Sequence, residues 1–250
     1  MSSSIVSKPR HPEAAISLGD LSEAFGWSPR FIEGLVRGEK LPSIEVDGQL
    51  RFNREEVVDW LERKIHTLEG VQVSEIEKRI EAGLLKDGTF RTHRSDRLAS
   101  RLPMKGVALD LDLQTRDQVL EALVELAAET GLLLDRNFLL TALIEREELC
   151  STAMPGGVAI CHPRRPVPAA IGRQFLCALR TKKPVDFGSE AGEGTSLFFL
   201  LCAPDDRSHL HGLARLARVL HHGGLDEFRK ATDPEQFKEA LSYLEARIDG

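Results

Sequence analysis

The 250-residue chain is poor in the features that mark specialised proteins, and each shortage excludes something. It holds only four cysteines, Cys150, Cys161, Cys177 and Cys202, with no Cys-x-x-Cys pair and no ladder of close spacings. That excludes a disulfide framework and reads as reduced thiols in a cytoplasmic protein. No long hydrophobic run is present: the longest, Leu197 to Ala203, is far too short to cross a bilayer. The start, Met1 to Glu13, is polar and has no apolar centre, so it does not read as a secretion signal. Basic charge is not in excess either. A net charge of -6 excludes a uniformly basic nucleic-acid coat and leaves room only for a local patch. Internal repeats and low-complexity tracts are lacking, and residues before Pro12 are expected to be disordered.

What is there divides into three segments. In the first, residues 12–66, Ile16 to Gly26 reads as a short helix with Leu18, Leu21 and Phe25 on one face. Ser28-Pro29 starts a second helix, with Ser28 as cap and Pro29 at the first helical position. It directs Phe31, Ile32, Leu35 and Val36 inward and Arg30, Glu33, Gly34 and Arg37 outward. Strands Ser43 to Val46 and Gln49 to Phe52 are joined by Asp47-Gly48, a type I′ hairpin signal. Asn53-Arg54-Glu55-Glu56 then starts a helix with Val57, Val58, Trp60 and Leu61 as its apolar stripe.

Helix, turn, helix, hairpin, helix is the plan of a winged helix-turn-helix. The segment resembles the excisionase and MerR-like families through Ser17 to Gly26, Gly38-Glu39-Lys40-Leu41-Pro42, Val46 to Phe52 and Val57 to Leu61. The resemblance implies double-stranded DNA as a partner, with Arg30, Arg37, Lys40 and Arg51 as contacts: helix side chains in the major groove, the wing on the backbone. A homodimer would suit such a reader, because two half-sites multiply affinity, although no heptad enforces one. The segment is also rich in acids, among them Glu33, Glu39 and Glu45, and a winged helix can equally dock a protein.

Residues 67–101 read as a partly helical linker. Val73 to Gly83 can form a helix, and Arg91, Arg94, Arg97 and Arg101 recur at near-helical spacing. A solvated linker face is the plain reading; a contact with nucleic-acid phosphates is the sharper one.

Residues 102–250 read as an α/β domain on a mixed sheet with flanking helices. Thr115-Arg116-Asp117-Gln118 is a capping box for a helix burying Val119, Leu120, Leu123, Val124 and Leu126, which Gly131 ends. Asp135 caps a second helix through Leu149. Strands are expected at Gly157 to Cys161, Gln174 to Arg180 and Leu197 to Ala203. Helices are expected at His209 to His222 and Pro234 to Ile248. His211, His221 and His222 read as surface residues of their helix.

The chemistry concentrates at Gly156-Gly157-Val158-Ala159-Ile160-Cys161-His162 and at His209. A strand that delivers a histidine holds it in a fixed place. A second imidazole beside it can move a proton or hold an oxyanion. Imidazole is a neutral nucleophile near pH 7, since its unperturbed pKa is ~6.5, and two rings close together resist double protonation. One cysteine and two histidines without close spacing make a poor zinc signature, so neither a metal nor another cofactor is expected.

This segment resembles the enzyme IIA family of the bacterial phosphotransferase system, in its nitrogen-regulatory and mannitol/fructose branch. The resemblance rests on Asp112 to Leu120, Leu143 to Leu149, Ser151 to His162, Val185 to Gly188, Leu197 to Pro204 and His209 to Ala217. It implies that His162 accepts a phosphoryl group from a histidine-containing phosphocarrier protein. His209 matches the second active-site histidine, and Arg146-Glu147 the pair before the Ser-Thr turn. His162, His209 and Arg146 are therefore the expected catalytic residues. Gly156, Gly157, Ser151 and Thr152 are the expected phosphate-binding turn. Met154, Pro155 and Ile171 are candidates for the surface that docks the donor. Cys161 and Pro163 stand where family members usually have proline and glycine, and an aspartate is replaced near Ala191.

The resulting expectation is a cytoplasmic regulator, phosphorylated on His162 and joined to a DNA-binding domain. It requires the two imidazoles to face each other at a solvent-reachable pocket. The rival is a binding protein in which His162 is never phosphorylated; a plain transport phosphocarrier is a third reading.

Overall fold

A computed structural model describes residues 15–25, 27–67, 77–78, 97–189 and 192–249. The tail before Pro12, most of the expected helix Val73 to Gly83, Arg91, Arg94 and Ala191 lie outside the described residues.

The first segment contains β1 (Ala15–Ser17), α1 (Leu18–Phe25), α2 (Pro29–Glu39), β2 (Ile44–Val46), β3 (Gln49–Asn53) and α3 (Arg54–Thr67). Ile16 is in a strand and not in the helix expected from it. Ser17 explains the change: its hydroxyl accepts from the Asp20 amide, and Asp20 accepts from the Ser17 amide. This reciprocal cap starts α1 two residues later and leaves Ala15–Ser17 free to pair with β3. The small sheet has the order β1-β3-β2. Asp47 and Gly48 both have positive φ, at 51° and 72°, as a type I′ turn requires. Asn53 caps α3 by accepting from the amides of Glu55 and Glu56.

After α4 (Leu98–Arg101) comes the larger unit: β4 (Val107–Leu111), α5 (Arg116–Glu129), α6 (Arg136–Leu149), β5 (Ala153–Met154), β6 (Val158–Cys161), β7 (Phe175–Val185), β8 (Thr195–Cys202), α7 (Asp206–Val219), α8 (Leu225–Lys230) and α9 (Pro234–Asp249). The sheet is five-stranded, β4-β7-β8-β6-β5, and mixed. β6 runs parallel to β8 and β7 antiparallel to it. β4, β5 and α8 are additions to the elements read from sequence. The first two are short edge strands, too brief for their alternation to stand out. α7 ends at Val219, three residues before its expected end, where Gly223 (φ 92°) turns the chain into α8.

Strand alternation divides the core. Ala159, Cys161, Phe175, Cys177, Phe198 and Leu200 pack under α5 and α6. Val158, Ile160, Leu176, Ala178, Phe199 and Leu201 face α7 to α9. The second cluster continues without a break into Leu21, Phe52, Val58, Leu61 and Ile65 of the first segment. The N-terminal unit therefore shares a hydrophobic core with one face of the large sheet.

Among the described residues no helix is long and apolar enough to cross a membrane.

Candidate functional site

β6 and β8 are parallel neighbours, so the segments that leave their C-terminal ends emerge at the same edge of the sheet. His162 comes directly after β6. Asp205 lies just beyond β8 and caps α7, its carboxylate accepting from the Ser208 amide and hydroxyl. That cap places His209 in the first turn of α7. The two rings meet edge-on with centroids 5.2 Å apart.

Hydrogen bonds assign the ring atoms of His162. Its Nδ1 lies 2.8 Å from the Ile160 carbonyl, which can only accept, so Nδ1 carries the proton. In the neutral ring Nε2 is then the unprotonated nitrogen, and it accepts from Arg146 Nε at 3.3 Å. Arg146 is itself held by the Cys150 carbonyl at 2.9 Å. Its neighbour Glu147 bonds both the amide and the hydroxyl of Thr152, fixing the turn between α6 and β5.

One residue of this cluster was not among those singled out from sequence. Glu62, from α3 of the N-terminal unit, reaches between the rings. Its carboxylate lies 3.0 Å from His209 Nε2, 3.4 Å from His162 Nε2 and 3.6 Å from Arg146 Nε. A signal was present: Val58, Leu61, Glu62 and Ile65 share one helical face, and all four are buried. A carboxylate inside an apolar stripe needs a partner.

The expectation of a solvent-reachable pocket is overturned. His162, His209 and Glu62 are only 0%, 1% and 2% exposed, because α3 covers the imidazoles. The cover is charged at its rim. Asp59 pairs with Arg164 at 2.7 Å and with Arg165 at 3.2 Å, just past His162. Arg54 pairs with Asp206 at 2.7 Å, and Arg207 donates to the Glu23 and Ala24 carbonyls.

Burial alone would push Glu62 upward, but the two imidazoles facing it outweigh that and hold it far below the ordinary carboxylate range. Burial lowers His162; Glu62 opposes this, while Arg146 and His209 add to it, and the net shift is downward. The pair therefore favours an ionised carboxylate, while burial opposes a charge on His162. Burial raises Glu147 despite its Thr152 hydrogen bonds. Burial also drives Cys161 and Cys202 well above the usual thiol range and Cys177 up to about 12, so these three remain thiols.

Glu62, His162 and His209 present donor atoms within 4.8 Å of one another, and such a set can hold a cation. Arg146 Nε contacts two of the three, so a guanidinium already supplies the positive charge there.

Several expected site residues are not brought to the imidazoles. Gly156 and Gly157 (φ 88° and 70°) form the β5–β6 turn, at the far end of β6 from His162. At a rise of about 3.3 Å per strand residue, four residues separate them by ~13 Å or more. Their amide and carbonyl groups serve Glu193, Arg229, Ser196 and Leu197. Ser151 donates to the Phe187 carbonyl, and the Thr152 hydroxyl to Glu147, so neither hydroxyl faces His162. Met154 and Ile171 are buried and cannot form a docking surface; Pro155 is exposed, at the far turn. His211 is buried, not superficial, and burial and Arg215 lower it to about 3. His221 and His222 are exposed, and His222 Nδ1 meets the Arg218 carbonyl. Arg30, Arg37 and Lys40 are exposed on and just after α2, and Arg51 is half-buried on β3. Arg37 and Arg51 line a groove of about 640 Å³ together with Glu33 and Glu45.

Residues 101–243 match the family described as phosphoenolpyruvate-dependent sugar phosphotransferase system, EIIA 2. The chain belongs to that family. It is 39% identical over 104 residues to a nitrogen regulatory protein of Bradyrhizobium diazoefficiens, covering 40% of this chain and 66% of the relative. It is 28% identical over 127 residues to a fructose-specific EIIA component of Haloferax volcanii, covering 50% of this chain and 80% of the relative. The crystal structure of nitrogen regulatory protein IIA-Ntr from Neisseria meningitidis aligns with a TM-score of 0.52 at 25% identity, over 57% of this chain and 97% of that one. The match with the family takes in Arg146, His162 and His209 and stops short of Glu62.

Proposed function

We propose that this chain is a regulator of the phosphotransferase system that accepts a phosphoryl group on His162 Nε2 from a histidine-containing phosphocarrier protein. One observation carries the reading. Nδ1 of His162 is tied to a carbonyl, which leaves Nε2 as the nucleophilic nitrogen, with Arg146 and His209 beside it. In the transfer, the bond from phosphorus to the donor imidazole breaks as the bond to Nε2 forms. The electron pair of the broken bond stays on the donor nitrogen, and His162 keeps its Nδ1 proton. Arg146 and His209 then offer N–H donors to the phosphoryl oxygens. The test is incubation with phosphoenolpyruvate, the general phosphotransferase enzyme and the carrier protein. Acid-labile label should appear on the wild type and vanish in His162→Ala. A carrier that is itself labelled but leaves both the wild type and Glu62→Ala, which clears the carboxylate from the rings, blank rejects the reading.

The N-terminal unit is proposed to be a winged helix-turn-helix over residues 12–66 that binds double-stranded DNA through Arg30, Arg37, Lys40 and Arg51, with residues 67–101 as linker and 102–250 as carrier domain. Its support is that α3 faces the large sheet while the α2 cations stay exposed. A salt-dependent gel shift lost in Arg30→Ala/Arg37→Ala is expected; no shift at low salt favours protein docking. A second reading draws on the sealed pocket: a binding regulator in which His162 is never phosphorylated. The same labelling experiment separates the two.

A further inference from the structure

We infer that Glu62 is a built-in occupant of the phosphoryl pocket, so that docking of α3 and phosphorylation of His162 exclude one another. This rests on the carrier reading above and concerns its regulation.

Three observations converge. The carboxylate is placed as a phosphoryl on Nε2 would be, an anion beside His162 Nε2 that faces His209 Nε2 and Arg146 Nε. It presents oxygens to the same donors a phosphoryl group would use. A phosphorus atom bonded to Nε2 would bring its oxygens into the 3.4 Å gap that Glu62 Oε2 now spans. Both cannot fit, and a phosphoryl charge of about -1.5 to -2 beside an ionised carboxylate adds repulsion to the overlap.

Second, the contact extends beyond one side chain. Asp59 and Glu55 face Arg164 and Arg165 across the pocket rim, and Val58, Leu61 and Ile65 continue the core of the large sheet. A donor protein needs that same rim to bring its own phosphohistidine within reach of Nε2. The α3 face therefore blocks both the atom and the approach.

Third, Glu62 lies outside residues 101–243, the part shared with the family. The plug is an addition of this chain's own N-terminal unit to a carrier that is complete without it.

A cation is the other occupant the three donors could share, but Arg146 already fills the positive position. The consequence is reciprocal. A phosphorylated His162 evicts α3, and whatever holds α3 elsewhere opens His162 to the donor. Donor turnover then scales with the fraction of molecules whose α3 is undocked.

The test uses the full chain with phosphorylated carrier protein as donor. It compares labelling rates of wild type, Glu62→Ala, Glu62→Gln and Asp59→Ala. Amide hydrogen exchange across residues 54–67 is followed before and after labelling. Glu62→Ala is expected to label at least tenfold faster than wild type. Glu62→Gln, which keeps the shape and guards against a folding defect, should label faster than wild type but slower than Glu62→Ala. Asp59→Ala, remote from the rings, should also accelerate labelling. Labelling of wild type should speed exchange across α3. Equal rates in wild type and all three variants, with α3 still protected after labelling, overturn the inference and leave the carrier reading intact. No label in any variant from an active carrier overturns the carrier reading itself. Acceleration of wild type by a chelator would make a metal the occupant and also overturn the inference.

Discussion

Two buried charged contacts along α7 tie the N-terminal segments to the large sheet, and they end on different chemistry. Near the start of the helix, Glu62 meets His209 and His162. Six residues further, about 9 Å along the axis, Arg215 gathers Glu77 at 2.9 Å, Glu245, and Asp249 at 2.8 Å, while Arg218 also bonds Glu77. Glu245 in turn accepts from the amides of Leu98 and Ala99, which seats α4. Burial works against the charge on Arg215, yet its three acidic partners raise it well above the ordinary range. A guanidinium cannot give up its charge, so the second contact is permanent. An imidazole can gain or lose a proton or take a phosphoryl group, so the first can be exchanged. The N-terminal segments thus have an exchangeable contact at the imidazoles and a fixed one at Arg215.

The strongest way to break this contrast is to remove the clamp. Arg215→Ala leaves Glu245 buried without its guanidinium and Glu77 with Arg218 alone, and should cost about 3–5 kcal/mol in denaturant unfolding. A loss of under about 1 kcal/mol would erase the distinction. Next in size is the pH dependence of His211, on the same helix. It is held neutral down to about 3, whereas the unfolded chain takes up the proton near its ordinary value. The unfolded state binds more protons in that window, so stability rises with pH from about 3 to about 6.5 and falls on acidification. Between pH 6.5 and 5 the loss should reach about 1.6 kcal/mol, and His211→Leu should flatten it. A wild-type profile with the opposite slope in that window would contradict the assignment.

The other buried carboxylate beside Arg146 sharpens the comparison. Burial raises Glu147 because the Thr152 hydroxyl and amide only partly offset it, whereas the imidazoles facing Glu62 outweigh burial and lower it. Thr152→Val should cost about 1–2 kcal/mol in thermal unfolding without changing docking of α3. Smallest is the rim. Arg164 is partly exposed, so Arg164→Ala should lower global stability by less than about 1 kcal/mol while still loosening α3 in hydrogen exchange.

Much of residues 102–250 was readable because its signals are local. The Thr115 capping box, the Asp135 cap and the alternation of Leu197 to Cys202 each show in a few consecutive residues. The His162 strand and the helix that carries His209 were legible too, while their meeting was implied by the enzyme IIA resemblance and not by any strand pairing read from sequence. The glycine turn was misplaced for a physical reason: residues at opposite ends of a strand are neighbours in sequence but ~13 Å apart in space. His211 was assigned to the surface because a histidine among arginines looks solvated. Only the packing of α9, α4 and Glu77 over α7 buries it.

The order of residues alone determined the strand that ends at His162 and the helix that starts before His209, since caps, turns and alternation act within a few positions. That Glu62 closes the pocket was decided only by tertiary structure. A carboxylate one hundred residues before His162 carries no local mark of its destination, and its ionised state there depends on imidazoles brought to it by the fold.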